Sequence, residues 1–316
     1  MKKKKVAIFT GNRAEYGLQY PVIKAISENK YLIYDLLVSG AHLDKKFGNT
    51  LNEIKQDGFN ISKEIKIPLL GDSLFDTTQA IGAGIKSISL ALKKINPDIF
   101  IVYADRFEGF AAVVAGTQMN IPTAHIEGGD ITEGGALDDS IRHAMTKLSH
   151  LHFTTNKFAT KRILAMGEEN WRVKTVGFPG VDLIKQKKFM KKEEIKKNLK
   201  LDFKKPIIIF TQHSVTTEFN ESTKQIQQSL IAIKKLLLEN VQVIVTFPNN
   251  DAGGKKIINE IVKWKNNNDS FKNLIIKKSL GSNLYYGVLN LAKSKKIRIA
   301  CAGNSSSGIK ETAVFG

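Results

Sequence analysis

The sequence predicts an α/β protein of two Rossmann-like domains whose parallel sheets face a central cleft. Three features lead there. Short apolar runs alternate with amphipathic stretches from end to end, the pattern of repeated βαβ units. The 316 residues suffice for two domains, each with a core of its own. After Gly177 the alternation is interrupted by FPGVDLIKQKKFMKKEE, a turn and a highly charged segment, and then resumes. An amino-terminal domain is therefore expected at 1–180 and a carboxy-terminal one at 181–316.

The opening MKKKKVAIFTGNRAEYG has a basic head, but its apolar run VAIFT is shorter than the roughly 7–15 residues of a secretory core. It reads as the first buried strand, 5–10. YDLLVSG (34–40), DIFIVYAD (98–105), IPTAHIEG (121–128), LHFTT (151–155) and RVKTVG (172–177) read as further strands, apolar throughout as in parallel sheets covered on both faces. Helical periodicity fills the intervals at 18–29, 76–95, 107–119, 138–149 and 157–167. The second series has strands PIIIFTQH (206–213), VQVIVTFPN (241–249), LIIKKSL (274–280) and IRIACAGNS (297–305), with helices 221–239, 253–265 and 283–293.

With 42% hydrophobic and 25% charged residues the chain is globular in composition. Cys301 is its single cysteine, which excludes an internal disulfide and fits a reducing compartment. No apolar run approaches the ~20 residues of a membrane span, and a cytoplasmic protein is expected. The formal charge of +18 comes from lysine runs at element ends and on polar helix faces, without the interleaved aromatics of a base-stacking surface. Neither nucleic acid nor membrane is expected as a partner, whereas a basic field would attract a diphosphate.

Ligands of open parallel sheets bind at the carboxyl ends of the strands. The first strand ends in TGNRAEYGLQ, where Gly11 permits a tight turn and Arg13 can reach a phosphate; an ordinary βα turn reads the same way. The match to G-x-G-x-x-G is poor, so no dinucleotide cofactor is expected. The second strand ends near His42, expected exposed at the same rim. DIFIVYAD runs into Asp105, Arg106 and Glu108, charges that are expensive behind a buried strand unless paired or used. Asp105 is placed either for chemistry or to cap helix 107–119.

AHIEGGD puts Glu127 at the next strand end, with Gly128 and Gly129 allowing close backbone approach. LDDSIRHA opens a helix in which Asp138 and Arg142, and Asp139 and His143, are i,i+4 pairs. In the second half, His213 ends one strand and Asn249 and Asp251 follow another. IACAGNSSSGIKET sets Gly303, Asn304, Ser305, Ser306 and Ser307 before a helix starting near Gly308, an arrangement suited to a diphosphate. Glu311, one turn on, can accept hydrogen bonds from ribose hydroxyls. No GK[ST] follows, so this is not an ATPase loop.

GNRAEYG, GAHLDKKFGNT, the strand-end ADR, HIEGG, LDDSIRHAMTKLSHLHF, QHSVTTE, FPNNDAGGKK and GNSSSGIKETAVFG occur in that order. Together, from about residue 5 to the last, they resemble the hydrolysing UDP-N-acetylglucosamine 2-epimerases of sialic-acid-type sugar synthesis. HIEGGD stands where non-hydrolysing relatives show a HVEAGLR-like stretch, and LDDSIRHA where they show a PEE-like opening. The resemblance implies a GT-B fold and conversion of UDP-N-acetylglucosamine and water to N-acetylmannosamine and UDP, by anti elimination to a glycal and its hydration.

By this resemblance Asp105, Glu127, Asp138 and His213 are candidate catalytic residues, with Asp139, Arg142 and Arg106 in support. Arg13, Asn249, Ser305, Ser306 and Glu311 lie around the nucleotide, and His42 and Asp251 join them from the strand-end reading. No metal-ligand spacing appears, and neither a metal nor another cofactor is expected. The expected partners are a UDP-sugar substrate and further copies of the chain, as a homodimer or homotetramer. The chain stops at ETAVFG, where family members continue through more strand and a final helix with another arginine near the diphosphate; a fragment or a truncated gene is expected. Three other readings remain: an epimerase for a GDP- or UDP-linked diacetamido sugar of legionaminic acid synthesis, a non-hydrolysing UDP-N-acetylglucosamine 2-epimerase, and a GT-B glycosyltransferase. The last would share the diphosphate site without needing Glu127 or the Asp138–Asp139 pair.

Overall fold

The computed structural model describes residues 3–44, 50–132, 137–185 and 189–315, less the side chains of residues 13 and 14. The chain divides into two compact units, Met1–Asp182 and Leu183–Gly316.

The first unit runs β1 (Lys4–Thr10), α1 (Arg13–Ser27), β2 (Leu32–Ser39), α2 (Leu51–Gln56), β3 (Ile61–Ile65), α3 (Leu74–Ile95), β4 (Ile99–Tyr103), α4 (Phe107–Gln118), β5 (Thr123–Ile126), α5 (Leu137–Leu148), β6 (Leu151–Thr154), α6 (Lys157–Ala165) and β7 (Val173–Thr175). A short α7 (Gly180–Lys185) spans the boundary. The sheet is parallel in every pairing, in the order β3-β2-β1-β4-β5-β6-β7.

The second unit runs α8 (Lys192–Leu199), β8 (Ile207–Thr211), α9 (Ser222–Leu238), β9 (Gln242–Thr246), α10 (Gly254–Asn266), β10 (Leu274–Lys277), α11 (Gly281–Asn290), β11 (Ile299–Gly303) and α12 (Ser307–Lys310). Its parallel sheet has the order β10-β9-β8-β11. The strand order reverses direction about β1 in one unit and about β8 in the other, the places where such sheets open to ligands.

Alternation along the strands builds a core on each face. From β1, Ala7 and Phe9 join Leu37, Phe100, Val102 and Met145 on one side, while Val6 and Ile8 join Tyr16, Ile23, Leu36 and Ile54 on the other. The second sheet does the same. Ile207, Ile209 and Ile244 meet Ile195 and Leu289 on one face; Val243 and Val245 meet Ile226, Leu230 and Ile257 on the opposite face. Among the described residues no helix is long and apolar enough to cross a membrane.

Some elements differ from expectation for local reasons. A helix from residue 18 would put Pro21 in its first turn, where a missing N–H is harmless. Instead Asn12 caps α1, accepting from the Glu15 N–H at 3.1 Å, and Pro21 lies inside the helix. The edge strand β3, ISKEI, escapes an apolar-run search because three of its five residues are exposed. Asp105 does not cap α4: the capping position is Arg106, which makes no side-chain capping bond.

Gly303 has a φ of +121°, and a Cβ there would lie 1.8 Å from the Thr211 carbonyl oxygen. Gly58 also has positive φ, +82°, with nothing within 4 Å of an added Cβ. Gly58→Ala should therefore cost about 1 kcal/mol of backbone strain, and Gly303→Ala more than about 3 kcal/mol. Chemical denaturation of the two variants distinguishes them; equal losses would show that the β8–β11 contact yields to a methyl group.

Candidate active site

The strands β4 and β5 are neighbours, and each ends on a left-handed residue, Ala104 at φ +55° and Glu127 at φ +66°. Non-glycine residues hold this conformation only when their surroundings impose it. Here the ladder does so: the Ala104 N–H donates to the Ile126 carbonyl, and the Glu127 N–H to the Phe153 carbonyl, each at 2.9 Å. His125, fully buried, donates from Nε2 to the Ala104 carbonyl at 2.6 Å. Burial pushes its pKa down to about 4, so the ring is neutral and Nδ1 faces the Thr146 hydroxyl at 3.2 Å.

The turn at Ala104 delivers Asp105 to Arg142 of α5, and the two side chains form an ion pair. Arg142 is only 5% exposed. Its Nη1 also donates to Asp139 Oδ1 at 2.7 Å and to the Asp130 carbonyl at 2.8 Å. Burial opposes the guanidinium charge, but Asp105 and Asp139 outweigh it and raise the Arg142 pKa. On its own helix Arg142 thus pairs with Asp139, at i,i+3. Both Asp139 oxygens accept from the Thr132 N–H, at 2.8 and 3.0 Å, which draws the loop after β5 onto α5.

Asp138 sits partly exposed in the same first helical turn. Glu127 is buried. The glycines after it approach the chain's own helices: a Cβ on Gly128 would lie 2.8 Å from Thr146 Oγ1, and one on Gly129 2.6 Å from the Ala159 carbonyl oxygen.

At the β1–β4 switch the structure adds two buried carboxyls that the sequence reading did not place in the site. Glu108 of α4 is fully buried, 3.6 Å from Arg106 Nε, and packs on Gly11 and Gly40. Glu15, three residues past the capping Asn12, accepts from the Gly11 N–H at 2.9 Å; its Oε1 has no hydrogen-bond partner among the described residues. Burial first, then the nearby Glu108, push its pKa up to about 8. The available signal was the spacing of a capping box, Asn12 with a Glu at the third helical position.

His42, expected at the rim, is fully buried. Its ring nitrogens meet Thr10 Oγ1 at 3.0 Å and Thr50 Oγ1 at 2.6 Å. The backbone of Arg13 opens α1, and its side chain lies outside the described residues.

In the second unit three strand ends are tied together. The His213 N–H donates to Asn304 Oδ1 at 2.7 Å, and Asn304 Nδ2 donates back to the His213 carbonyl at 3.0 Å. The Asn249 N–H donates to His213 Nδ1 at 3.2 Å, so a neutral ring carries its proton on Nε2. The Asp251 carbonyl accepts from the Gly254 N–H at 2.8 Å, at the start of α10.

The helix expected after Ser305 and Ser306 begins at Ser307 and lasts four residues. It is too short for a helix-dipole argument, although the loop's hydroxyls remain. Glu311 accepts a hydrogen bond from the Tyr286 phenol, and Tyr285 Oη lies 2.6 Å from Ser307 Oγ. Neither tyrosine was singled out in the sequence, where 283–293 reads only as a helix. Among the described residues no group of three or more His, Cys, Asp or Glu could hold a metal ion.

A family model described as UDP-N-acetylglucosamine 2-epimerase matches residues 24–316. The whole chain is 34% identical to 79% of the GDP/UDP-N,N'-diacetylbacillosamine 2-epimerase (hydrolyzing) of Campylobacter jejuni. Over 99% of its length it is 33% identical to 79% of the UDP-N,N'-diacetylbacillosamine 2-epimerase (hydrolyzing) of Legionella pneumophila. Among solved structures, the UDP-GlcNAc 2-epimerase of Neisseria meningitidis bound to UDP-GlcNAc superposes with a TM-score of 0.76 at 18% identity, covering 96% of this chain and 78% of that one. At that identity the likeness speaks for the fold, a GT-B-like pair of parallel-sheet units.

The raised pKa of Glu15 has a definite sign. The folded chain holds a proton that the unfolded chain releases near pH 4.5, so this contribution to stability is complete below that value and is lost as the pH rises to about 8. Glu15→Gln keeps the Gly11 contact and carries no such proton. Between about pH 5 and pH 8 the wild type should lose a few kcal/mol relative to the variant, read from thermal unfolding at each pH. Parallel pH curves would mean that Glu15 is ionised in the fold.

Proposed function

The chain belongs to the UDP-N-acetylglucosamine 2-epimerase family, and from that premise we propose that it is a hydrolysing 2-epimerase of a nucleotide-diphosphate-linked N-acetyl amino sugar. The observation that carries this reading is the pair of left-handed residues, Ala104 and Glu127, just past the paired ends of β4 and β5, where the chain carries the carboxylates Asp105 and Glu127. Inverting C2 requires a carboxylate poised to remove a weakly acidic proton.

In the proposed reaction a carboxylate takes the C2 proton, the C1–O bond to the diphosphate breaks on the opposite face, and a C1=C2 double bond forms. Water then adds its OH to C1, and a proton returns to C2 from the other side, giving the 2-epimer and free nucleoside diphosphate. The Asp105 carboxylate is occupied by Arg142, so Glu127 is the first choice for the base and Asp105 the second. Asp138 serves hydration, with Asp139 and Arg142 fixing the corner around it. His213, held through Nδ1, donates from Nε2 to the departing diphosphate. Asn249, Ser305, Ser306 and Glu311 hold the nucleotide, with Arg13, Arg106 and Asp251 as further contacts.

For the sugar we put the diacetylated one first, because both relatives at 33–34% identity are named for it; UDP-N-acetylglucosamine, implied by the motifs, comes second. A glycosyltransferase would release no free sugar without an acceptor. The protein is incubated in deuterated water with UDP- and GDP-linked N,N'-diacetylbacillosamine and with UDP-N-acetylglucosamine, and products are identified by NMR. The expected result is a free 2-epimer carrying deuterium at C2. Glu127→Gln should lower turnover by roughly 10²–10⁴-fold with its circular dichroism unchanged, and Asp105→Asn and His213→Ala are compared with it. Release of no free sugar from any of the three, or unchanged turnover in all three variants, overturns the proposal.

A further inference from the structure

The segment that carries Glu311 has little to hold its shape. α12 has four residues, Ser306 is exposed, and Ile309 is 80% exposed. Its ends are anchored: Asn304 is tied to His213 and Thr211, while Phe315 is buried against the rings of Tyr286 and Phe189, at centroid distances of 6.3 and 6.2 Å. Between those anchors, α11 reaches the segment through Tyr285 to Ser307 and Tyr286 to Glu311. The helix itself is fixed, since a Cβ on Gly287 would lie 2.7 Å from the Met190 carbonyl oxygen. Tyr286 is 5% exposed, with its ring in the core and its hydroxyl at one carboxylate oxygen of a partly exposed acid. Phenylalanine would fill the same space; the hydroxyl adds only the bond to Glu311.

We propose that Tyr286 is a positioning residue for nucleotide binding: its phenol fixes Oε1 of Glu311, so that Oε2 is presented to the vicinal hydroxyls of a ribose. A charge-assisted bond from a rigid ring stops the carboxylate from rotating, and a pre-ordered acceptor binds a diol more tightly than one that must be ordered on contact. This inference rests on the reading of the second unit as the nucleotide-holding one.

The test compares UDP with 2′,3′-dideoxy-UDP by calorimetric titration of the full chain. The wild type should prefer UDP by roughly ten-fold, about what hydrogen bonds to a charged acceptor supply. Tyr286→Phe should remove most of that preference and leave dideoxy-UDP affinity unchanged. Glu311→Ala should do the same, and adding Tyr286→Phe to it should change nothing further. A wild-type preference that survives Tyr286→Phe overturns the inference and leaves the functional reading intact. So does an equal weakening of both nucleotides, or a loss of preference from Tyr286→Phe that also appears without Glu311. If the wild type binds neither nucleotide, the functional reading falls, and this inference with it.

Discussion

A guanidinium removed from water is tolerable only where its charge is answered on the spot. Arg142 meets that condition with three acceptors from three segments: Asp105 after β4, Asp139 in the first turn of α5, and the Asp130 carbonyl in the loop after β5. Satisfying one buried cation therefore fixes the mutual placement of a strand end, a helix start and a loop. Buried ion pairs add little net stability, but a missing partner typically costs about 3–5 kcal/mol. The gain is in geometry: with Arg142 fixed, Asp105 has one position. Two carboxylates against one cation also leave a local negative excess in a chain whose formal charge is +18.

The left-handed turns serve the same end from the backbone. Neither Ala104 nor Glu127 is a residue that favours positive φ, and each is held by a ladder bond that continues the sheet one step past the strand. His125 links the layers: neutral because it is buried, it donates to the Ala104 carbonyl, while its accepting Nδ1 and the Arg142 carbonyl lie 3.2 and 3.0 Å from the one hydroxyl of Thr146, whose single proton serves one of them at a time. The sheet, the strained turns and the helix carrying Arg142 are thus one connected set of polar contacts.

Much of this was legible in the sequence, for physical reasons. Strands covered on both faces are apolar throughout, so β1, β2, β4 and β8 stand out as runs. β3 does not, being an edge with polar residues, and α8 hides in a lysine-rich stretch. The acidic corner was visible because carboxylates are sparse in this chain. Its pairing was not: the loop that supplies Thr132 helps bring Asp139 onto Arg142 at i,i+3, a link that the i,i+4 spacing does not announce. The burial of His42 depends on Thr10 and Thr50, one of them a whole strand and helix away, and no local pattern announces that. Glu15 looks like an ordinary first-turn acid and Glu108 like one more strand-end charge; their burial, with Gly11 and Gly40 closing on Glu108, shows that both are shut in.

The polarity that conceals β3 has a further effect. An outermost strand carries a row of unsatisfied amides and carbonyls that a second molecule can zip onto. In β3 the exposed middle is Ser62, Lys63 and Glu64, with Lys63 and Glu64 setting charge along that margin. Desolvating those side chains would oppose sheet-to-sheet fusion, so the feature that weakens the strand's signature also guards the protein against aggregation.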